Sequence, residues 1–259
     1  YAIGSEECLR SIFKSLFYSD KSIWETSLKT YFGKEYDLIA SETLCAIHLV
    51  IFIRSSLIKN ISKVKTNSVK TGAKNLLGNK GAVGISFNIF NLSLMFINCH
   101  LAALQGRIIQ RNIDFERCIK NMAESYQSFD FIVMMGDLNY RLNNLNINME
   151  KIKTEHLEFL TYDQLKHEKD TNRLNMCGFR EGEINFKPTF KYWNNTNNFQ
   201  YIDTHKIDQA PAWTDRILYK KNDTSTNIVD VVQDKYDSMH DILMSDHKPV
   251  FSHFTLNFA

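Results

Sequence analysis

The sequence predicts a mixed α/β (α+β) domain in which mostly antiparallel sheets are covered by helices. Three observations predict it. Two apolar strands, over residues 82–90 and 92–101, are separated only by Asn91, which makes an antiparallel hairpin. A helix-period segment over 107–122 places Ile108, Phe115, Ile119 and Met122 on one face. No repeat, low-complexity tract or linker divides the chain, so residues 1–259 read as one domain.

The other elements follow from periodicity. Residues 6–18 read as a helix with Leu9, Ile12, Phe13 and Leu16 on one face. Residues 43–54 read as one buried strand. A short β-branched and apolar strand over 131–135 ends at Gly136. Helices are expected near 150–159 and 162–168, and strands over 217–220, 228–233 and 249–256.

Composition excludes several classes. With 44% hydrophobic and 23% charged residues, the chain is neither disordered nor fibrous. The longest apolar run, residues 44–53, includes His48 and falls far short of the roughly 20 residues that cross a bilayer. The first seven residues carry no basic flank, so no signal peptide is expected there. Five cysteines, at 8, 45, 99, 118 and 177, form no CxxC pair, which argues against a disulfide framework or a Cys-based zinc site. A reducing, cytoplasmic setting fits that usage.

The net charge of +2 conceals an asymmetry. From Thr43 to Ile113 there are nine Lys/Arg and no Asp or Glu, a +9 block. The remaining 22 cations meet all 29 acids, leaving −7. The basic block suits an anionic substrate or surface. Between Lys59 and Lys74 a merely solvated Lys-rich face explains it equally well.

Polar residues able to do chemistry cluster at strand ends. They are Glu7, His100, Asp137, Asn139, Asp215, Arg216, Asp246 and His247. Taken singly, a strand-end Asp is more often a turn residue, and a strand His more often a satisfied core residue. Together they make an inventory of oxygen donors that suit Mg²⁺ and imidazoles that suit proton transfer or charge stabilisation.

An ordered set of motifs carries a family resemblance. It runs through Gly4-Ser5-Glu6-Glu7, Asn79-Lys80-Gly81-Ala82-Val83, Asn98-Cys99-His100-Leu101 and Gly136-Asp137-Leu138-Asn139-Tyr140-Arg141. It continues through Lys187-Pro188-Thr189-Phe190-Lys191-Tyr192, Pro211-Ala212-Trp213-Thr214-Asp215-Arg216 and Ser245-Asp246-His247-Lys248-Pro249-Val250. The set resembles the inositol polyphosphate 5-phosphatases, a branch of the Mg²⁺-dependent superfamily that includes DNase I-like nucleases. The resemblance implies a four-layer sandwich, two mostly antiparallel β-sheets packed face to face and flanked by helices. It also implies Mg²⁺-dependent removal of a 5-phosphate by direct water attack.

The resemblance assigns roles residue by residue. Glu7 matches the metal-ligand glutamate, Asp137 the aspartate that activates water, and Asn139 its positioning amide. His247 matches the histidine facing the scissile phosphate, Asp215 the carboxylate that orients it, and His100 a second charge-stabilising histidine. Asp246 matches a residue beside the metal. Tyr140, Arg141 and Lys191 match contacts to the neighbouring 4-phosphate, and Asn79 and Lys80 the rim of the ring-binding site. Trp213 is read as core. In relatives the region after His100 lies near lipid chains, so the implied partners are a phosphoinositide or inositol phosphate and an anionic membrane surface, approached peripherally. No nucleic-acid partner is implied, and the oligomeric state is open. The family's Trp-Asn-Val-Asn-like first strand has no counterpart before Tyr1, so the domain is expected to lack it. The rival readings are a superfamily nuclease and a phosphoinositide-binding pseudo-enzyme.

Overall fold

The computed structural model describes residues 1–7, 21–72, 77–122, 129–143, 149–200 and 207–258. Among them the chain forms β1 (Ala2–Glu6), α1 (Ser22–Phe32), β2 (Tyr36–Leu44), β3 (Ile47–Arg54), β4 (Ile61–Thr71), β5 (Leu77–Ile89) and β6 (Leu92–His100). It continues with α2 (Ile108–Met122), β7 (Phe131–Asp137), α3 (Met149–Thr154), α4 (Gln164–Asp170) and β8 (Arg180–Glu181). β9 (Asp215–Lys221), β10 (Ile228–Ser238) and β11 (Val250–Phe258) complete it.

One layer is a six-stranded sheet in the order β4-β5-β6-β7-β9-β8. Its pairs are antiparallel except β6 with β7, which run parallel. The facing layer consists of a three-stranded sheet, β1-β3-β2, and a two-stranded one, β10-β11. Leu49 and Ile51 of β3 meet Val83, Ile85, Phe131 and Val133 of the six-stranded sheet in the core between the layers. α2 covers the opposite face of that sheet, burying Phe115, Cys118 and Ile119 against Met95, Met134 and Leu218. Burying a side chain such as Phe115 contributes about 1.5–3 kcal/mol. α1 covers the outside of the second layer, with Phe32 4.6 Å from Phe52 and Glu25 3.5 Å from His48. The four layers match the sandwich expected from the motifs.

The hairpin expected around Asn91 forms as β5 and β6, with Ile89 opposite Leu92. The single strand expected over 43–54 is two strands. A turn at Cys45 and Ala46 separates β2 from β3, with Cys45 at φ +52°. No Gly, Pro, Asn or Asp marks that turn, so unbroken apolar character masked it. α1 buries no residue fully, which is why periodicity did not reveal it. The helix expected over 6–18 falls largely on residues 8–20, outside the described residues. Glu6 itself ends β1, and Glu7 sits in a bend. The helix expected near 150–159 divides into α3 and a 3₁₀ segment, His156–Tyr162.

The Lys-rich block becomes β4, the outer strand of the six-stranded sheet. Lys63, Lys65 and Lys70 are exposed along it, and Lys74 lies outside the described residues. Charge on an outer strand discourages pairing with another chain, so this part of the block is a solvated edge. Among the described residues no helix is long and apolar enough to cross a membrane.

Candidate active site

Strand register assembles the site. Gly81 of β5 stands opposite His100 of β6, His100 opposite Asp137 of β7, and Asp137 opposite Asp215 of β9. Residues in one such row project to the same face of the sheet, so His100, Asp137 and Asp215 share a cavity floor. β1 brings Glu6 and Glu7 from the facing layer, and the segment before β11 brings Asp246 and His247. The cavity measures about 190 Å³ and is predominantly polar.

Gly136 is required where it stands. Its φ of +124° is unfavourable for other residues, and a Cβ there would collide with the carbonyl oxygen of Cys99 on the adjacent strand. The next residue, Asp137, accepts hydrogen bonds from the Asn139 backbone N–H and Nδ2, both at 2.9 Å. Its Oδ2 lies 3.2 Å from His100 Nε2. Burial alone would push the Asp137 carboxyl up, but His100, His247 and Lys80 hold it well below the usual carboxylate range. It therefore stays ionised throughout the physiological range.

His247 Nδ1 lies 2.9 Å from Asp215 Oδ2. Burial would lower its pKa, yet the charge and hydrogen bond of Asp215, aided by Asp137 and Asp246, raise it to about 9. His247 is thus an imidazolium at neutral pH. Asp215 Oδ2 also accepts from Thr189 Oγ1 at 2.7 Å and Thr214 Oγ1 at 2.9 Å. His100 behaves oppositely, because burial and then the charge of Lys80 lower its pKa.

Glu6, Thr189 and Ser245 are functional neighbours that sequence reasoning did not single out, although each stood inside a quoted motif. Glu6 is half-buried with its Oε1 shut off from solvent, and desolvation with the charges of Asp137 and Asp215 raises its pKa to about 8, so it is mostly a neutral acid at pH 7. Ser245 Oγ accepts the His247 backbone N–H at 3.1 Å.

The structure brings Glu7, His100, Asp137, Asp215, Asp246 and His247 around one cavity. Asn139, 2% exposed, lies behind Asp137. Lys191 stands at the mouth, 3.7 Å from Asp246. Asn79 is half-buried, with its Oδ1 unpartnered. Three further residues have protein partners of their own. Lys80 is half-buried, with its Nζ against His100 Nε2. Tyr140 is fully buried, and its hydroxyl donates to Asn112 Oδ1 at 2.8 Å, so it packs the core and does not face the cavity. Arg141 is 5% exposed and donates to Asn139 and to the backbone carbonyl of Asp208. Trp213, read as core, is fully buried with Nε1 donating to the Phe186 carbonyl at 2.9 Å.

A larger cavity of about 330 Å³ lies elsewhere, with Leu160, Leu165 and Met176 in its wall and Arg216 in its floor. Arg216 is committed to Asp163 and Glu181, so the perturbed, convergent groups that chemistry requires are in the smaller cavity.

The donor set suits a hard divalent cation. Glu7, Asp137, Asp215 and Asp246 supply carboxylates, and the Glu7 carboxylate makes no hydrogen bond or ion pair among the described residues. Among those residues no three ligating side chains converge on one point. Mg²⁺ is commonly held by only one or two carboxylates, completed by waters and substrate phosphates, so this arrangement fits it.

The sequence model of the Endonuclease/Exonuclease/phosphatase family 2 matches residues 1–253. The phosphatidylinositol 3,4,5-trisphosphate 5-phosphatase 2A of Danio rerio is 35% identical over 256 residues, covering 91% of this chain and 20% of its own length. The chain thus spans about a fifth of that relative. The type IV inositol polyphosphate 5-phosphatase 11 of Arabidopsis thaliana is 31% identical, covering 96% of this chain and 74% of its own length. Among solved structures, the inositol polyphosphate 5-phosphatase domain of SPsynaptojanin superimposes with a TM-score of 0.81 at 28% identity, covering 100% of this chain and 76% of that one. That structure holds inositol (1,4)-bisphosphate and a calcium ion. With the motifs in register around one cavity and similarity along the whole chain, this protein belongs to the inositol polyphosphate 5-phosphatases of the endonuclease/exonuclease/phosphatase family.

Proposed function

We propose that this chain hydrolyses the 5-phosphate of phosphoinositides, soluble inositol polyphosphates or both, with Mg²⁺ and by direct attack of water. The observation that carries the reading is the row of His100, Asp137 and Asp215, closed by His247, in a carboxylate-rich cavity of a chain from this family. A phosphate monoester resists attack because it is anionic, so catalysis needs cations and donors aimed at its oxygens.

The protein's own groups divide the work. Asp137, held ionised and oriented by Asn139, aligns the attacking water and accepts its proton as the new P–O bond forms. His247 has Nδ1 engaged by Asp215, leaving Nε2–H to stabilise the phosphoryl oxygens and protonate the departing inositol oxygen. Lys80 and His100 add positive charge and a hydrogen-bonding ring on the other side. Lys191 offers a cation at the mouth for a neighbouring phosphate. Glu7 would hold Mg²⁺, which supplies Lewis acidity to a phosphoryl oxygen when bound.

A membrane is the proposed setting, approached peripherally from the cytoplasm. Leu104 and Ile109, 50% and 76% exposed, follow His100 at the catalytic end of β6 and stand near the exposed Arg107. Apolar side chains beside cations suit an anionic lipid surface. The four described cysteines are free thiols, consistent with a reducing compartment.

The test is an assay of the chain and of Asp137→Asn with Mg²⁺ against 5-phosphorylated inositides, plasmid DNA and abasic DNA. Phosphate release by the wild type, lost in Asp137→Asn while lipid binding persists, is the expected outcome. Nicking of DNA without phosphate release would favour the nuclease, and binding without turnover the pseudo-enzyme.

A further inference from the structure

Two segments meet beside His247 and then part into loops. Phe190 pairs with His247 in an isolated antiparallel bridge, and the Tyr192 backbone N–H donates to the Asp246 carbonyl at 3.0 Å. Away from this pairing lie two loops, residues 193–198 and 239–245. The Trp193 N–H donates to the Asn198 carbonyl at 2.9 Å and closes the first. The Asn195 N–H donates to the Leu243 carbonyl at 2.6 Å and joins it to the second.

Lys248, the residue after His247, staples the two loops. It is fully buried, and its Nζ donates to the Thr196 carbonyl at 3.2 Å and to the Ile242 carbonyl at 2.9 Å. The same Nζ lies 4.7 Å from the centre of the Tyr192 ring. A buried ammonium is costly unless its donors are met. Taking one carbonyl from each loop therefore holds the loops in a fixed relation.

Braced in this way, the loops still leave large apolar side chains in water. Trp193 is 43% exposed, Ile242 40% and Met244 80%. One such residue is ordinary, but three on joined loops mark a contact surface. Their place says what makes the contact. Ser245 and Asp246, directly after Met244, line the catalytic cavity, and Lys191, two residues before Trp193, lies 3.7 Å from Asp246. Whatever surface presents the substrate to the cavity meets these loops, and a protein seated there would shut the substrate out. Asp241 is exposed on the second loop, so the surface offers apolar contact and not a block of positive charge. Indole rings favour the boundary between water and lipid, and an unbranched Met adapts to an irregular apolar surface.

We propose that the joined loops carrying Trp193, Ile242 and Met244 are a bilayer-contact platform that seats the cavity over a substrate held in a membrane. This rests on the 5-phosphatase reading of the cavity, and the platform is a different stretch of chain from the one that follows His100. It contributes only when the substrate lies in a bilayer. The reaction of a soluble inositol phosphate does not use it.

The experiment compares wild type, Met244→Ser, Trp193→Ala and the double variant, with thermal unfolding as the check on folding. Each is assayed with Mg²⁺ on a 5-phosphorylated phosphoinositide in phosphatidylcholine vesicles and on the matching soluble inositol phosphate. Sedimentation with the same vesicles measures binding. Each single variant should lower both vesicle binding and kcat/KM on vesicles by about 5–20-fold, and the double variant should lower them further. On the soluble compound kcat/KM should stay within about twofold of wild type. Phosphatidylcholine brominated in its acyl chains should quench the tryptophan fluorescence of the wild type, and Trp193→Ala should remove most of that quenching. Equal losses on vesicles and on the soluble compound would overturn the proposal, as would unchanged vesicle binding in the double variant. A wild type that hydrolyses the soluble compound yet neither sediments with vesicles nor is quenched would also overturn it, and would assign the surface to a protein partner. Failure of the wild type on both substrates would instead overturn the 5-phosphatase reading.

Discussion

The imidazole of His247 is held by the carboxylate of Asp215 at 3.1 and 2.9 Å to its two oxygens. Because Thr189 and Thr214 also donate to Asp215, the carboxylate cannot swing away from the ring. The pair therefore fixes both the orientation of His247 and its proton.

The pH dependence follows from that pair. His247 has its pKa raised to about 9, so its charged form is favoured in the fold. Activity should fall as pH rises through about 9, where the imidazolium is lost. Asp215→Asn removes the favouring charge, and the alkaline limb of kcat/KM should move down toward the reference of about 6.5. The stability contributed by the raised pKa is fully present below about pH 6.5 and lost as pH rises through about 9. pH–rate profiles of both proteins check this. An unmoved limb in Asp215→Asn would show that another group titrates.

Tyr140 should matter for stability and not for substrate affinity. Its buried hydroxyl satisfies Asn112 Oδ1, and burial pushes the phenol pKa up. Tyr140→Phe leaves that acceptor unpaired and should cost about 1–2 kcal/mol in denaturant unfolding. KM for a 4-phosphorylated substrate should not change. A raised KM at unchanged stability would restore Tyr140 to the binding site.

Arg216 supports the site from beneath. It donates to Asp163 at 3.1 and 3.0 Å and to Glu181 at 2.6 Å through both Nε and Nη2. Removing one partner from such a buried network leaves charge uncompensated, so Arg216→Ala should lose about 3–5 kcal/mol. Chemical denaturation measures it. A loss below about 1 kcal/mol, the range of exposed pairs, would contradict the buried-network account.

The catalytic row was legible in the sequence because each member ends or begins a recognisable strand. His100 closes the hairpin strand begun at Leu92, and Asp137 follows the apolar run that stops at Gly136. What sequence could not give was the direction of side chains past Asn139. A left-handed residue breaks the strict alternation of a strand, so the faces of Tyr140 and Arg141 could not be extrapolated from Asp137. The charge environment was equally hidden. Two histidines with the same reference pKa are driven in opposite directions, His100 by burial and Lys80, His247 by Asp215.

Phosphate release from two soluble inositol phosphates that differ only at the 5-position, with Mg²⁺ and with Asp137→Asn as control, tests the central claim most directly. Release should come from the 5-phosphorylated compound alone and disappear in Asp137→Asn. Equal release from both compounds, or release undiminished in Asp137→Asn, would contradict 5-phosphate hydrolysis at this cavity.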